Sequence, residues 1–230
     1  MLIAEDLLLL AYDDESGKAQ SDAYHLDYRL AGALLIELAL DGRVDVVRED
    51  GPVVAESGGT RVKAGRVVVV DAAPTGSAVL DDALVRVAEK PRKPKDLISP
   101  LGKGLRDRLL ADLAERGVLR REELRVRGIF PTTRWPAEDS SHEVRVREEC
   151  VAVLLDGAEP SPRTAALISV AGEGSVAHLV PRDQRKAAKA RAEEIAESSW
   201  AGDAVKKAVD EITAAVMVAV FVPVIATGAT

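Results

Sequence analysis

The residues best placed to do chemistry are cations gathered over one short stretch. Lys90, Arg92, Lys93 and Lys95 stand in "KPRKPKD", and Lys103, Arg106 and Arg108 follow within "SPLGKGLRDRLLADLAERGVL", residues 99–119. A helix start already attracts anions through its partial positive charge, so added cations there need a carboxylate or a bound anion to hold. At about 100° per residue, Leu105, Leu109, Leu110 and Leu113 define the apolar face. Arg106 falls within that arc, Lys103 at its edge and Arg108 outside it, so Arg108 is expected as a solvated surface charge. Arg106 has three readings: an ion pair with a buried carboxylate, which residue type alone favours, an anion pocket, or a snorkelled chain end.

Other groups offer less. Glu37 lies inside the apolar run "LLIELAL", where burial raises a carboxyl pKa. It reads either as a general acid or base, or as a buried carboxylate paired with an arginine such as Arg43 or Arg29. The second is preferred, because no other carboxylate or histidine is placed by sequence to work with it. His25, His142 and His178 are widely separated and show no zinc-ligand spacing, so no metal site is expected. Ser141 and His142 are neighbours on a helical stretch and point apart. "GKGL" lacks the glycine spacing of a phosphate loop, and no G-x-S-x-G elbow occurs. No catalytic residue and no cofactor is therefore expected, and the chain is read as a non-enzyme.

Composition narrows the partners. The 230 residues are 47% hydrophobic and 30% charged, as in a globular protein, but only 3% aromatic, so Leu, Val, Ala and Ile must build the core. A net charge of −7 argues against a nucleic-acid partner, so any anion-binding surface must be a local patch. Cys150 is the single cysteine, which leaves no disulfide within the chain and suits a reducing cytosol. "MLIAEDLLLLAYDDE" has no basic segment or cleavage site of a signal peptide. The apolar run over 212–226 is short for a bilayer span and carries Pro223, so it is expected as a buried terminal helix.

These groups must be positioned by helices. "IAEDLLLLAYD" reads as a short helix, and "YRLAGALLIELALDG" as a central one, apolar on nearly every face and stopped by Gly42. "RVDVV", "PVVAE" and "RVKAGRVVVVD" read as a small antiparallel sheet. "AVLDDALVRVAE" is a helix, "KPRKPKD" a non-helical linker because of its two prolines, and 99–119 one helix ending near Gly117. "GVLRREELRVRGIFPTTRWP" has the content of a β-hairpin. Helices follow over about 138–156, 161–171, 182–199 and 202–222. The basic run "PRDQRKAAKAR" is expected as the wet face of one of them.

Taken together, "AEDLLLLAYDDESG", "LLIELALDGRV", "DAAPTGSAVLDDALVRV" and "LRDRLLADLAERGVL" leading into a hairpin resemble the Golgi phosphoprotein 3 family, in order and spacing, from about Leu2 to Val220. The Ala/Arg/Val-rich composition suits a bacterial member. The resemblance implies a mainly α, single domain over 1–230: a central hydrophobic helical bundle wrapped by amphipathic helices, with a small antiparallel sheet and a protruding β-hairpin. It also implies a non-enzymatic peripheral membrane adaptor that binds an anionic headgroup like that of phosphatidylinositol 4-phosphate. The expected location is cytoplasmic, peripheral on the inner face of the membrane. The alternative is a soluble oligomeric scaffold that binds protein tails without lipid recognition.

The family's lipid pocket combines a tryptophan, an arginine near the start of the central helix, and two basic residues one turn apart on a later helix. The basic pair falls on Lys103 and Arg106. The tryptophan position falls near Asp22, with Tyr24 the neighbouring aromatic, and the arginine position falls on Ala31, with Arg29 two residues earlier. The resemblance thus implies headgroup binding by Lys103, Arg106, Arg29 and Tyr24. It implies membrane contact or self-association through the hairpin at about 122–133, with Val126, Ile129, Phe130 and nearby Trp135 as its apolar members. Expected partners are an anionic phospholipid headgroup, protein tails and a second copy of the chain.

Overall fold

The computed structural model describes residues 1–19, 23–49, 61–126, 130–198, 201–202 and 206–221. Helix α2 (Ala23–Leu40) runs through the middle, and every residue from Leu30 to Ala39 is buried along it. A helix apolar on every side must be covered on every side, and α1 (Ile3–Leu10), α4 (Pro94–Gly102), α5 (Leu105–Glu115), α7 (Pro162–Leu179) and α9 (Lys206–Phe221) pack around it. Two close approaches set the packing. A methyl group on Gly32 would lie 2.0 Å from Val216 Cγ2 of α9, and one on Gly102 would lie 2.7 Å from the Asp27 carbonyl oxygen. The core is a single cluster dominated by Leu, Val, Ala and Ile, as the scarcity of aromatics requires.

Helix α2 ends as its sequence predicts. Gly42 takes φ +69°, its N–H donates to the Ala39 carbonyl, and Arg43 N–H reaches back to Leu38, the Schellman arrangement that left-handed glycine allows. The chain then forms β1 (Val44–Val46), paired antiparallel with β2 (Val67–Val69) so that Val44 faces Val69 and Val46 faces Val67. The expected "PVVAE" strand lies outside the described residues. Helix α3 (Ala78–Ala88) follows, started by the Ser77 hydroxyl accepting from Leu80 N–H.

Two expectations are corrected in the next stretch. "KPRKPKD" is not wholly excluded from helix, because Pro94 occupies the first position of α4, where its missing N–H would have had no partner. Residues 99–119 form not one helix but the end of α4 and all of α5. The break falls at Lys103, which is extended, and Gly104, at φ +71° and ψ 6°. Glycine adopts that left-handed conformation without a Cβ clash.

The expected hairpin forms from β3 (Glu122–Val126) and β4 (Phe130–Arg134), with Glu122 facing Arg134 and Val126 facing Phe130. Its base is tied to the loop after α1: Trp135 N–H donates to the Gly17 carbonyl and Ala137 N–H to that of Asp14. Helices α6 (Ser141–Leu155), α7 and α8 (Arg185–Glu197) complete the shell. The sequence places the end of α7 near residue 171; the structure instead breaks the helix at Gly172 (φ 67°, ψ 167°) and continues it to Leu179. Residues 212–221 of the terminal apolar run lie in α9, which packs on α2 and α4, and 222–226 lie outside the described residues. Ile212, Val216 and Val220 are buried but Met217 and Val218 are exposed, so the helix is covered on one face only. Among the described residues no helix is long and apolar enough to cross a membrane.

Candidate functional site

The junction of α4 and α5 gathers the cations singled out by the sequence. Because Gly102 carries no side chain, α4 closes onto the start of α2 at Asp27, and the junction lies over that helix. Lys103 leaves α4 exposed at the turn. Gly104 supplies no side chain to cap α5, so the first turn of that helix presents backbone N–H groups beside Lys103 and Arg106. Leu105, Leu109, Leu110 and Leu113 are buried as the helical wheel requires. Their burial fixes Arg106 at the boundary between core and solvent, with its side chain 30% exposed.

Arg106 faces carboxylates at long range. Its Nε lies 3.8 Å from Asp27 Oδ1 and 4.0 Å from Asp107 Oδ1. Asp27 Oδ1 is buried and has no hydrogen-bond partner among the described residues. Burial raises the Asp27 pKa, with the Arg106 charge opposing it. The Tyr12 phenol is buried at the same place. Its pKa is raised by burial, lowered by Arg106, and raised again by Asp107 and Asp27. Arg106, Lys103 and the start of α5 together form a local cationic patch with a tyrosine and a carboxylate at its back. Such a patch can accept a phosphate or another oxyanion.

The other expected site residues lie elsewhere or beyond description. Arg29 is buried, and its Nη1 donates to the Ala171 carbonyl at 2.6 Å and to Ser175 Oγ at 3.2 Å. Two residues along a helix is about 200° of rotation, so Arg29 turns to the break in α7 while Asp27 turns to Arg106. Tyr24 lies in the first turn of α2, and its side chain is outside the described residues. Val126 and Phe130 face each other across the last described pair of the hairpin. Ile129 lies outside the described residues. Trp135 follows β4 at the hairpin base, half-buried against the core, with the Arg121 guanidinium 5.9 Å from its ring centre. Arg108 pairs at the surface with Asp82 at 2.5 Å, as expected of a solvated charge.

A second charged cluster lies where the sequence offered only Glu37. The preference for a buried ion pair holds, but neither Arg43 nor Arg29 is the partner; Arg43 pairs with Asp71. Arg163 of α7 reaches Glu37 Oε1 at 2.9 Å, Asp6 Oδ2 at 2.8 Å and the Met1 carbonyl at 2.5 Å. Glu37 Oε2 accepts from Ile3 N–H at 2.7 Å, and His142 Nε2 lies 2.7 Å from Asp6 Oδ1. Burial pushes the Glu37 pKa up, while Ile3 and Arg163 hold it down. Alongside, Glu5 pairs with Arg116 at 2.5 Å. The acids "AED" in an otherwise apolar first helix were the signal that distant cations had to meet them; which cations could not be read from spacing.

Residues 3–212 match the model of the family described as Golgi phosphoprotein 3 (GPP34). The chain belongs to the Golgi phosphoprotein 3 family. It is also similar to vacuolar protein sorting-associated protein 74 of Eremothecium gossypii, with 28% identity over 171 residues. That alignment covers 67% of this chain and 49% of the relative, so the chain spans about half the length of that protein. The matched region contains α1 through α8 and the first turns of α9, and with them both the α4–α5 junction and the Asp6, Glu37 and Arg163 side chains of this Golgi phosphoprotein 3 relative.

Proposed function

We propose that this chain is a non-enzymatic peripheral membrane adaptor that binds an anionic phospholipid headgroup of the phosphatidylinositol 4-phosphate type at the α4–α5 junction. The observation that carries the reading is the combination of exposed Lys103, part-exposed Arg106 and an N-terminus of α5 with no side-chain cap. These are donors and cations facing one region of solvent. Lys90, Lys93 and Lys95, at the opposite end of α4 from the junction, are proposed to add to the attraction, each worth about 1 kcal/mol close to an anionic surface. The hairpin, with Val126, Ile129, Phe130 and Trp135, is proposed to contact the membrane or a second copy, and protein tails are proposed as cargo. Bacterial origin and a location on the inner face of the membrane belong to the same reading.

The test is co-sedimentation with vesicles containing phosphatidylinositol 4-phosphate at rising salt, which screens such attraction. Wild-type protein is expected to pellet at low salt and to be released as salt rises, with the Lys103→Ala/Arg106→Ala double variant at least tenfold weaker. Equal binding by the double variant would overturn the assignment of the junction. The carboxylates of Asp27 and Asp107 beside Arg106 favour a second reading, since they repel phosphate. This is an oligomeric scaffold for protein tails, and it predicts no vesicle binding together with a loss of self-association when residues 122–133 are removed.

A further inference from the structure

The uncovered face of α9 is apolar in its second half. Val218 is 51% and Met217 38% exposed, and exposed Ala214 lies between them on the helical wheel. The three make a ridge with a groove on either side. Toward α7 and α8 the groove holds about 440 Å³, and the small exposed side chains of Ala196 and Ala214 leave it open. Toward the start of α4 and residues 64–65 the groove holds about 290 Å³.

The two flanks of the ridge carry opposite charge. Glu193 and Glu197 of α8 and Asp210 of α9 line the first groove, and Lys93 and Lys95 line the second. All five are exposed, and none is in an ion pair among the described residues. Glu211, which also lines the second groove, pairs with Lys207 at 3.8 Å. An anionic lipid surface laid on the ridge would attract the lysines and be repelled by the acids. A second copy of the chain matches both flanks. We propose that this face pairs with itself across a two-fold axis parallel to α9. That axis sets Glu193 and Glu197 of each copy against Lys93 and Lys95 of the other. It also lays each ridge into the other copy's α7–α8–α9 groove, as packed helices lay ridges into grooves. An axis across the helix would oppose like charges instead. The contact is separate from the one proposed for the hairpin. It withdraws Lys93 and Lys95 from lipid, so the dimer and membrane attraction at this end of α4 exclude each other. Three apolar side chains at the centre make a smaller interface than the ~800 Å² per partner of a stable complex, so a dissociation constant on the order of 10–100 µM is expected.

Sedimentation equilibrium on the full chain tests the proposal. Wild type is expected to pass from monomer to dimer with rising concentration, and less readily as salt screens the flanks. Lys93→Glu/Lys95→Glu and Glu193→Lys/Glu197→Lys are each expected to self-associate at least tenfold more weakly. An equimolar mixture of the two is expected to form a heterodimer, because the reversed flanks then match on both sides. Met217→Ser/Val218→Ser, which removes the ridge at unchanged charge, is also expected to weaken the dimer at least tenfold. Every substituted side chain is exposed, and thermal melts check that the variants fold; if the ridge variant does not, the charge variants and their mixture decide. The proposal fails if wild type stays monomeric to about 1 mM, if either charge variant dimerises as wild type, or if their mixture forms no heterodimer. It fails too if a folded ridge variant dimerises as wild type. Self-association lost only on removing residues 122–133 would assign it to the hairpin and overturn the proposal. A monomeric wild type that loses vesicle binding in Lys93→Glu/Lys95→Glu would assign the face to lipid and overturn it as well.

Discussion

Two arginines in this fold face pairs of carboxylates under different conditions. Arg163 meets Asp6 and Glu37 at 2.8 and 2.9 Å, and both acids are buried. Arg106 has its acids at 3.8 and 4.0 Å, and Asp27 and Asp107 have side chains 38% and 84% exposed. In the first cluster the charges are committed to each other, to backbone groups and to His142, so it holds α1, α2, α6 and α7 together. In the second, distance and water weaken the attraction between Arg106 and these two acids. Tight mutual geometry marks a structural ion cluster; the long contacts lie at the rim where the headgroup site is proposed.

The contrast is broken most severely by Arg163→Ala. Removing it leaves Asp6 with His142 and Glu37 with the Ile3 N–H as remaining partners in the core. Denaturant unfolding is expected to show a loss of about 3 kcal/mol, the low end for a buried pair because the Arg163 side chain is 42% exposed. Next in size is Gly102→Ala, whose methyl group would sit 2.7 Å from the Asp27 carbonyl oxygen. Forcing α4 off α2 is expected to cost about 1–3 kcal/mol in the same measurement, and it moves Lys103 with it.

A pH series sharpens the comparison at a further carboxylate. The pKa of Glu143 is pushed up to about 7 by burial and by its hydrogen bond with Asp14, against the pull of Arg147. Below the ordinary value of 4.5 the folded and unfolded chains are both protonated there. Between 4.5 and 7 the folded chain retains a proton that the unfolded chain has released, so stability from this group falls as pH rises and is lost above about 7. Melting temperature measured from pH 5 to 8 is expected to fall in wild type relative to Glu143→Gln, with the gap widening up to about pH 7 and constant above it. Smallest in stability is Arg106→Ala, expected to cost less than about 1 kcal/mol.

Much of this was legible in the sequence because it rests on local rules. The all-round apolar character of α2 requires burial, Gly42 terminates it, and the leucines of α5 place Arg106 at a boundary. What was not legible depends on long-range placement. Arg163 lies 126 residues from Glu37, and nothing in spacing ties them. The split of 99–119 was missed because "LGKGL" continues a helical apolar pattern, and only the left-handed geometry at Gly104 interrupts it. Arg29 was expected beside Lys103 and Arg106 from the family resemblance, whereas the break at Gly172 presents it with a carbonyl on another helix.

The most direct measurement of the junction's role is titration of glycerophosphoinositol 4-phosphate, the soluble form of the headgroup, into wild type, Arg106→Ala and Asp27→Asn. Binding is expected in wild type, at least tenfold weaker binding in Arg106→Ala, and tighter binding in Asp27→Asn, where the competing carboxylate is gone. Equal affinity in wild type and Arg106→Ala would contradict the account.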